Sequence, residues 1–264
     1  MNGAMVSCIK KDLREVFRTG KLVIFLALAF GIAVMILGIT LVFSDIPQAL
    51  WEQLPGFNIS SLEEVISSLY PKLVRESAGV YAYYIGFFYS LIVILIVHGI
   101  LPSEMQKEKW VLPLQQGYTK LQLILSKCLV YGAVAGASVF AGYLFYFMVA
   151  NACMERNMGL GNALILGLVH SMNLFFIVIY TELFSVLYKS PVIAAVSMIA
   201  TILLVPDLAI YFSFGRLLPT YLLTFVYDSC SDYGRILPPL ICNVAQLLIL
   251  GLLVSMKYAP PEQA

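Results

Sequence analysis

Few side chains in this sequence have the chemistry of catalysis or metal binding, and their spacing argues against both. The chain contains 2 histidines, His98 and His170, and 5 cysteines, without a Cys-x-x-Cys or His-Glu-x-x-His motif. Ligand spacing typical of a metal site is therefore absent. The histidines are predicted at opposite ends of long apolar segments, so they cannot converge on one substrate. An intramembrane enzyme needs paired groups at one depth and is the weakest candidate, so no catalytic residue is predicted.

Other polar residues interrupt apolar stretches, where an ionisable group is costly and is by default a functional candidate. We treat them as possible pathway or gate residues. The alternative is a structural role at a helix end, at the membrane interface or in a hydrogen bond between helices. These residues are His170, Asn173, Glu182, Asp207 and Pro219.

No nucleotide site is predicted in the chain. Gly20-Lys21 is the nearest approach to a phosphate-binding loop, but Leu22 follows it and no glycine precedes it at the required spacing. No cofactor is therefore expected on this polypeptide. Cys153 and Cys230 are both predicted outside the membrane, where a disulfide and free thiols are equally compatible with the sequence.

The composition places the chain in a membrane. Hydrophobic residues make up 61% of the 264 positions, only 12% are charged, and the mean hydropathy is +0.89. A soluble domain carries roughly 25% charged residues. A water-facing surface cannot be covered with so few charges, so much of the surface must face lipid.

The apolar segments predict an all-α, polytopic protein with six transmembrane helices, since a helix needs roughly 20 apolar residues to cross the bilayer. Five segments lack Asp, Glu, Lys and Arg. A sixth, Ser190–Pro206, is shorter, and its apolar character resumes after Asp207. Gly132 and Gly136 give the third segment a small-residue face suited to close helix packing. The expected spans are about 22–44, 79–101, 128–150, 163–186, 190–212 and 236–256.

The distribution of basic residues predicts that both termini are cytoplasmic. In that orientation 11 of the 16 Lys and Arg residues lie inside and 5 lie outside. The inside residues are Lys10, Lys11, Arg14, Arg18, Lys21, Lys107, Lys109, Lys120, Lys127, Lys189 and Lys257. A bacterial cell membrane is the expected location.

The segments outside the spans differ in size and character. Residues 1–21 predict an amphipathic helix at the inner interface, with Val6, Ile9, Leu13, Val16 and Phe17 on one face. The outer segments are 45–78, with a short helix from Ser61 to Leu69, and 213–235; the tail is 257–264. The outer aromatic clusters are interpreted as interfacial anchors, and they comprise Tyr81, Tyr83, Tyr84, Tyr143, Phe145, Tyr146 and Phe147.

The cytoplasmic loop 102–127 is the most informative segment. It predicts a short charged helix, a break from Pro113 to Gly117, and a second helix that Thr119 and Gln122 cap. Its apolar and charged side chains suggest a surface on which a soluble partner docks, and a solvated connector is the alternative. The residues of this predicted surface are Glu104, Lys107, Glu108, Lys109, Trp110, Leu112 and Leu114.

In the order of these features the chain resembles the permease subunit of type-2 ABC transporters, the ATP-driven exporters of drugs, peptides and polysaccharides. The basic run Lys10 to Arg14 with Arg18 is similar to the connecting helix of that family. The segment from Glu104 to Ser126-Lys127 is similar to its cytoplasmic loop, and Leu217 to Tyr221 to its outer proline-containing segment. The chain departs from the family pattern at Trp110-Val111 and at Gln116-Gly117-Tyr118.

The resemblance implies a role and a set of partners. Two permeases, identical or homologous, would pair in the membrane and form a pathway for an amphipathic or hydrophobic substrate such as a peptide, bacteriocin, drug or lipid-like molecule. A separate cytoplasmic ATPase, carrying ATP and Mg²⁺, would dock at residues 104–116, and Lys10, Lys11, Arg14 and Arg18 would belong to the connecting helix. Lipid is an expected partner and nucleic acid is not. The main alternative is a secondary transporter driven by an ion gradient, which usually carries ionisable groups near the midplane.

Overall fold

The computed structural model describes residues 3–44, 76–106, 109–154, 158–224 and 236–258. The predicted helix from Ser61 to Leu69, together with Lys107, Glu108 and Cys230, lies outside these residues. The side chain of Asp207 also lies outside the description. The described ranges are helical and contain no strand, and six of their helices are long and apolar enough to cross a bilayer. The predicted all-α class and the number of spans are therefore confirmed for a multi-pass membrane protein.

Among the described residues, two α-helices precede residue 45 and six more follow residue 75. We label them in chain order and treat the helix from Glu76 to Gln106 as one interrupted span. The bounds are α1 Gly3–Arg18, α2 Lys21–Ser44, α3 Glu76–Gln106, α4 Val111–Gln115, α5 Lys120–Cys153, α6 Leu160–Tyr188, α7 Pro191–Tyr211 and α8 Leu237–Tyr258.

Two spans extend further into the 102–127 loop than the apolar pattern predicts. Helix α5 begins at Lys120 rather than near residue 128, because Thr119 caps it. The Gln122 backbone N–H donates to Thr119 Oγ1 at 3.2 Å, and the Thr119 N–H donates to Gln122 Oε1 at 3.0 Å. This confirms the predicted capping box. Helix α3 passes through a π-helical turn at Ile85–Tyr89 and a turn at His98 and Gly99 before it ends.

Helices α5 and α6 form the centre of the bundle. Of the most apolar stretch of each helix, 72% is buried in α5 and 67% in α6, compared with 22% in α8. A Cβ added at Gly132 would lie 2.8 Å from the Phe175 side chain, and one at Gly136 would lie 2.8 Å from the Ser171 carbonyl oxygen. The predicted small-residue face therefore brings the two helices together, as such faces do in membranes.

The peripheral helices α2, α7 and α8 present large apolar side chains outward, among them Val23, Ile210 and Leu248. Such a surface would aggregate in water and is stable in contact with acyl chains. Helix α1 lies against α5 and buries Cys8, Asp12 and Val16. Of the rest of its predicted apolar face, Val6 and Ile9 are half-buried, and Leu13 and Phe17 are exposed. Part of the apolar face of α1 therefore packs on the bundle, and part of it is exposed.

Candidate functional site

Lys127, in the second turn of α5, gathers three carboxylates from two other helices. Its Nζ lies 2.6 Å from Glu15 Oε2, 2.8 Å from Glu104 Oε1 and 3.2 Å from Asp12 Oδ1. The side chain of Lys127 is only 2% exposed. We call Asp12, Glu15, Glu104, Ser126 and Lys127 the Lys127 cluster. It joins α1, the end of α3 and the start of α5 at one point.

Hydrogen bonds extend the cluster into the loop. Ser126 Oγ donates to Asp12 Oδ2, and the Trp110 indole Nε1–H donates to Glu104 Oε2 at 3.3 Å. Trp110 immediately precedes α4, so the indole links this short helix to Lys127 through Glu104. The loop is therefore attached to both α1 and α5.

The environment of the cluster shifts the pKa values of the two α1 carboxylates in opposite directions. Burial raises the pKa of Asp12 above its ordinary value, although the charge of Lys127 and the Ser126 hydrogen bond oppose it. Burial also acts to raise the pKa of Glu15, but the hydrogen bond and charge of Lys127 outweigh it, so this pKa is lowered. The lysine thus holds Glu15 in its charged form.

The loop residues predicted to form one docking surface point in two directions. Glu104 is 4% exposed and Trp110 is 5% exposed, so neither contributes to a surface that a partner could touch. Leu112 is 64% exposed on α4, and Val111 and Lys109 are exposed beside it, while Leu114 is half-buried. The expected surface is therefore corrected: Glu104 and Trp110 attach the loop to the bundle, and α4 is its outward part.

The connecting-helix residues Lys10, Lys11, Arg14 and Arg18 are all exposed, as expected of cations at an interface. The sequence reasoning overlooked the acids between them. Asp12 follows Cys8 by four residues and precedes Val16 by four, so it shares their buried face. A carboxylate on the buried face of an amphipathic helix signals a buried cation partner, and Lys127 at the start of an apolar stretch was the corresponding signal.

The predicted pathway residues of α6 lie inside the helix bundle. His170, Asn173 and Glu182 are fully buried. His170 Nδ1 lies 3.2 Å from Tyr143 Oη, and the Asn173 amide has no hydrogen-bond partner among the described residues. Side chains in these positions cannot line a pathway on the lipid-exposed surface of this conformation. Pro219 is half-buried between two 3₁₀ turns, Ser213–Leu217 and Tyr221–Thr224.

Glu182 connects two spans. Its Oε2 accepts a hydrogen bond from the backbone N–H of Leu101 at 3.4 Å. This N–H lies just after the turn at His98 and Gly99, where the α3 hydrogen-bond ladder is interrupted. The carboxylate therefore satisfies a backbone donor at a new helix start.

Some aromatic residues predicted as interfacial anchors are core residues instead. Tyr81, Tyr143 and Tyr146 are fully buried, and the Tyr81 and Tyr146 rings stack with centroids 4.4 Å apart. Tyr83, in contrast, is exposed. Some members of these clusters therefore pack between helices and others lie on the surface. Residue type alone could not distinguish the two positions.

Comparisons with protein-family models, with curated proteins and with solved structures return no match for this chain.

Proposed function

We propose that this protein is the membrane-spanning permease of an ATP-driven exporter, in which a separate cytoplasmic ATPase moves the spans through the loop that contains α4. The observation that carries the proposal is the Lys127 cluster, which ties that loop to α1 and α5. The resemblance described above supports the same role. Both termini and α4 are cytoplasmic in this proposal, and the spans lie in a bacterial cell membrane.

The cluster gives the loop a mechanical connection to the bundle. A displacement of α4 would act on Trp110, then on Glu104, and through Lys127 on the first turns of α5. Helix α5 is the most buried span and packs closely on α6 at Gly132 and Gly136. Motion applied at the loop would therefore reach the centre of the bundle through these contacts.

The outward part of the loop is suited to a protein partner. Val111 and Leu112 project from α4 next to the cation Lys109. Apolar side chains bordered by a charge are typical of a protein-binding surface. In the complex the apolar side chains become buried and supply affinity, and the charge supplies orientation. The ATPase would bring the ATP and Mg²⁺, and this chain would bring the pathway.

The substrate in this proposal is amphipathic or hydrophobic, and it passes between two permease copies. The outward apolar faces of α2, α7 and α8 provide surface both for lipid and for a second copy. The buried positions of His170, Asn173 and Glu182 make them packing and helix-joining residues in this conformation. Access to them would require separation of α3 and α6.

The test of docking uses two variants that add the same charge to the same loop. Leu112→Glu places a carboxylate on the proposed contact, and Gln116→Glu places one at an exposed position just beyond α4. Tagged full-length chain, coexpressed with the ABC ATPases of its host, should copurify ATPase activity that Leu112→Glu abolishes and Gln116→Glu retains. Equal activity with both variants would contradict docking on α4.

The secondary-transporter alternative has its own readout. Purified chain in proteoliposomes without an ATPase should not move substrate when a proton or sodium gradient is imposed. Gradient-driven transport in that preparation would replace the proposed function with the alternative.

A further inference from the structure

A cleft of about 600 Å³ lies between α1 and the residues at and after the end of α3. It is on the cytoplasmic side in the proposed orientation, and of its lining residues Lys109 also borders the exposed face of α4. Its lining is charged, and it consists of Lys11, Arg14, Glu15, Arg18, Thr19, Glu104 and Lys109.

The charges of this cleft are arranged asymmetrically. Its four cations, Lys11, Arg14, Arg18 and Lys109, are exposed. Its two acids, Glu15 and Glu104, are already bound to Lys127 at 2.6 and 2.8 Å. A ligand that enters the cleft therefore meets exposed cations, while the carboxylates are paired with Lys127. This arrangement selects an anion.

The position of the cleft on α1 narrows the choice of anion. Lys11, Arg14 and Arg18 follow the helical spacing of one face, and Leu13 and Phe17 are exposed on the neighbouring face. The opposite side of α1, with Asp12 and Val16, is buried against the bundle. An amphipathic helix with this division lies in the headgroup region, with its apolar face among acyl chains and its cations among phosphates.

We propose that this cleft binds the phosphate headgroup of an anionic membrane lipid, with the acyl chains against Leu13 and Phe17. The guanidinium groups of Arg14 and Arg18 are suited to phosphate oxygens, and the lysines add charge. Bound lipid would fix α1 at the inner surface and, through the Lys127 cluster, hold the loop in position. The proposal concerns lipid binding by the isolated chain, so it does not depend on an ATPase or on transport.

The test measures binding of two lipids with identical acyl chains to the delipidated full-length chain in detergent, by native mass spectrometry. Phosphatidylglycerol should bind in preference to phosphatidylcholine. Lys11→Gln should weaken phosphatidylglycerol binding about fivefold, as expected for one cation near an anionic headgroup. Lys10→Gln is the matched control, since Lys10 is the exposed neighbour that does not line the cleft, and it should leave binding unchanged.

Two further arms make the result decisive. The triple variant Lys11→Gln, Arg14→Gln, Arg18→Gln should lose the preference for the anionic lipid while it retains the thermal unfolding temperature of the wild type. If the triple variant unfolds at a lower temperature than the wild type, the comparison of lipid binding by the single variants Lys11→Gln and Lys10→Gln decides the question. Equal weakening by these two changes would indicate diffuse surface charge and overturn the proposal. Inorganic phosphate supplies the second arm: displacement of the lipid by an equal concentration of phosphate would assign the cleft to a free anion and also overturn it.

Discussion

At the residue scale, Lys127 shows how a charge can be removed from water at the end of a membrane span. Desolvation of an ammonium group costs several kcal/mol, and close carboxylates with further hydrogen bonds are needed to offset it. Here Glu15, Glu104 and Asp12 supply the carboxylates and Ser126 supplies a hydrogen bond. Such a cluster specifies one relative placement of three helices, because any other placement separates its charges.

Removal of the lysine should therefore loosen α1 and the loop together. We expect Lys127→Met to destabilise the protein by about 3–5 kcal/mol, because three neighbouring carboxylates lose their cation. Lys127→Arg should retain most of the stability. Thermal unfolding in detergent measures the effect, with Lys120→Met as the control, since Lys120 is an exposed lysine on the same helix. Equal losses from Lys127→Met and Lys120→Met would show that the cluster does not hold the helices.

Substitutions of Glu182 can separate its hydrogen-bonding role from a role of its charge. Glu182→Gln keeps a carbonyl oxygen that can accept from the Leu101 N–H, whereas Glu182→Leu leaves that buried donor unpaired. We expect Glu182→Leu to cost about 1–3 kcal/mol and Glu182→Gln to cost less. Unfolding curves give the comparison. If Glu182→Gln is as stable as the wild type yet abolishes transport, a charge role in the pathway is indicated and the purely structural role is wrong.

At the element scale, the sequence predicted the spans well because hydropathy over about 20 residues is a strong signal. The Thr119 and Gln122 cap and the glycine face of α5 were also predicted, since both depend on local spacing. The Lys127 cluster was not predicted, because it joins residues more than 100 positions apart. Glu104 and Trp110 are buried through the contact of Glu104 with Lys127 and the hydrogen bond of Trp110 to Glu104. Local pattern alone therefore placed them on the surface.

The packing of α5 on α6 can be tested through matched glycines. A Cβ at Gly136 would lie 2.8 Å from a backbone oxygen of α6, whereas one at Gly31 of α2 has nothing within 4 Å. We expect Gly136→Ala to destabilise the protein by about 1–3 kcal/mol through overpacking. Gly31→Ala should be neutral or slightly stabilising, because alanine favours helix. Thermal unfolding of both variants is the measurement, and an unchanged Gly136→Ala variant would contradict close contact between these helices.

At the scale of the whole molecule, the orientation in the membrane links the residues to the proposed function. The ATPase can reach α4 only if the loop between α3 and α5 is cytoplasmic. The cations of α1, Lys109 and Lys127 then lie on the side where positive charge is normally retained. The same orientation places the start of α6 and the 3₁₀ turns after α7 outside.

Cysteine labelling in intact cells tests this orientation with an internal standard. Cys153 is exposed at the carboxyl end of α5, and the exposed Gln115 is the last residue of α4. A membrane-impermeant maleimide should react in intact cells with a variant in which Cys153 is the only cysteine. In a background without native cysteines, Gln115→Cys should react only after the membrane is permeabilised, because about 30 Å of hydrocarbon separates the two surfaces. Reaction of Gln115→Cys in intact cells would place α4 outside, where no cytoplasmic ATPase can reach it.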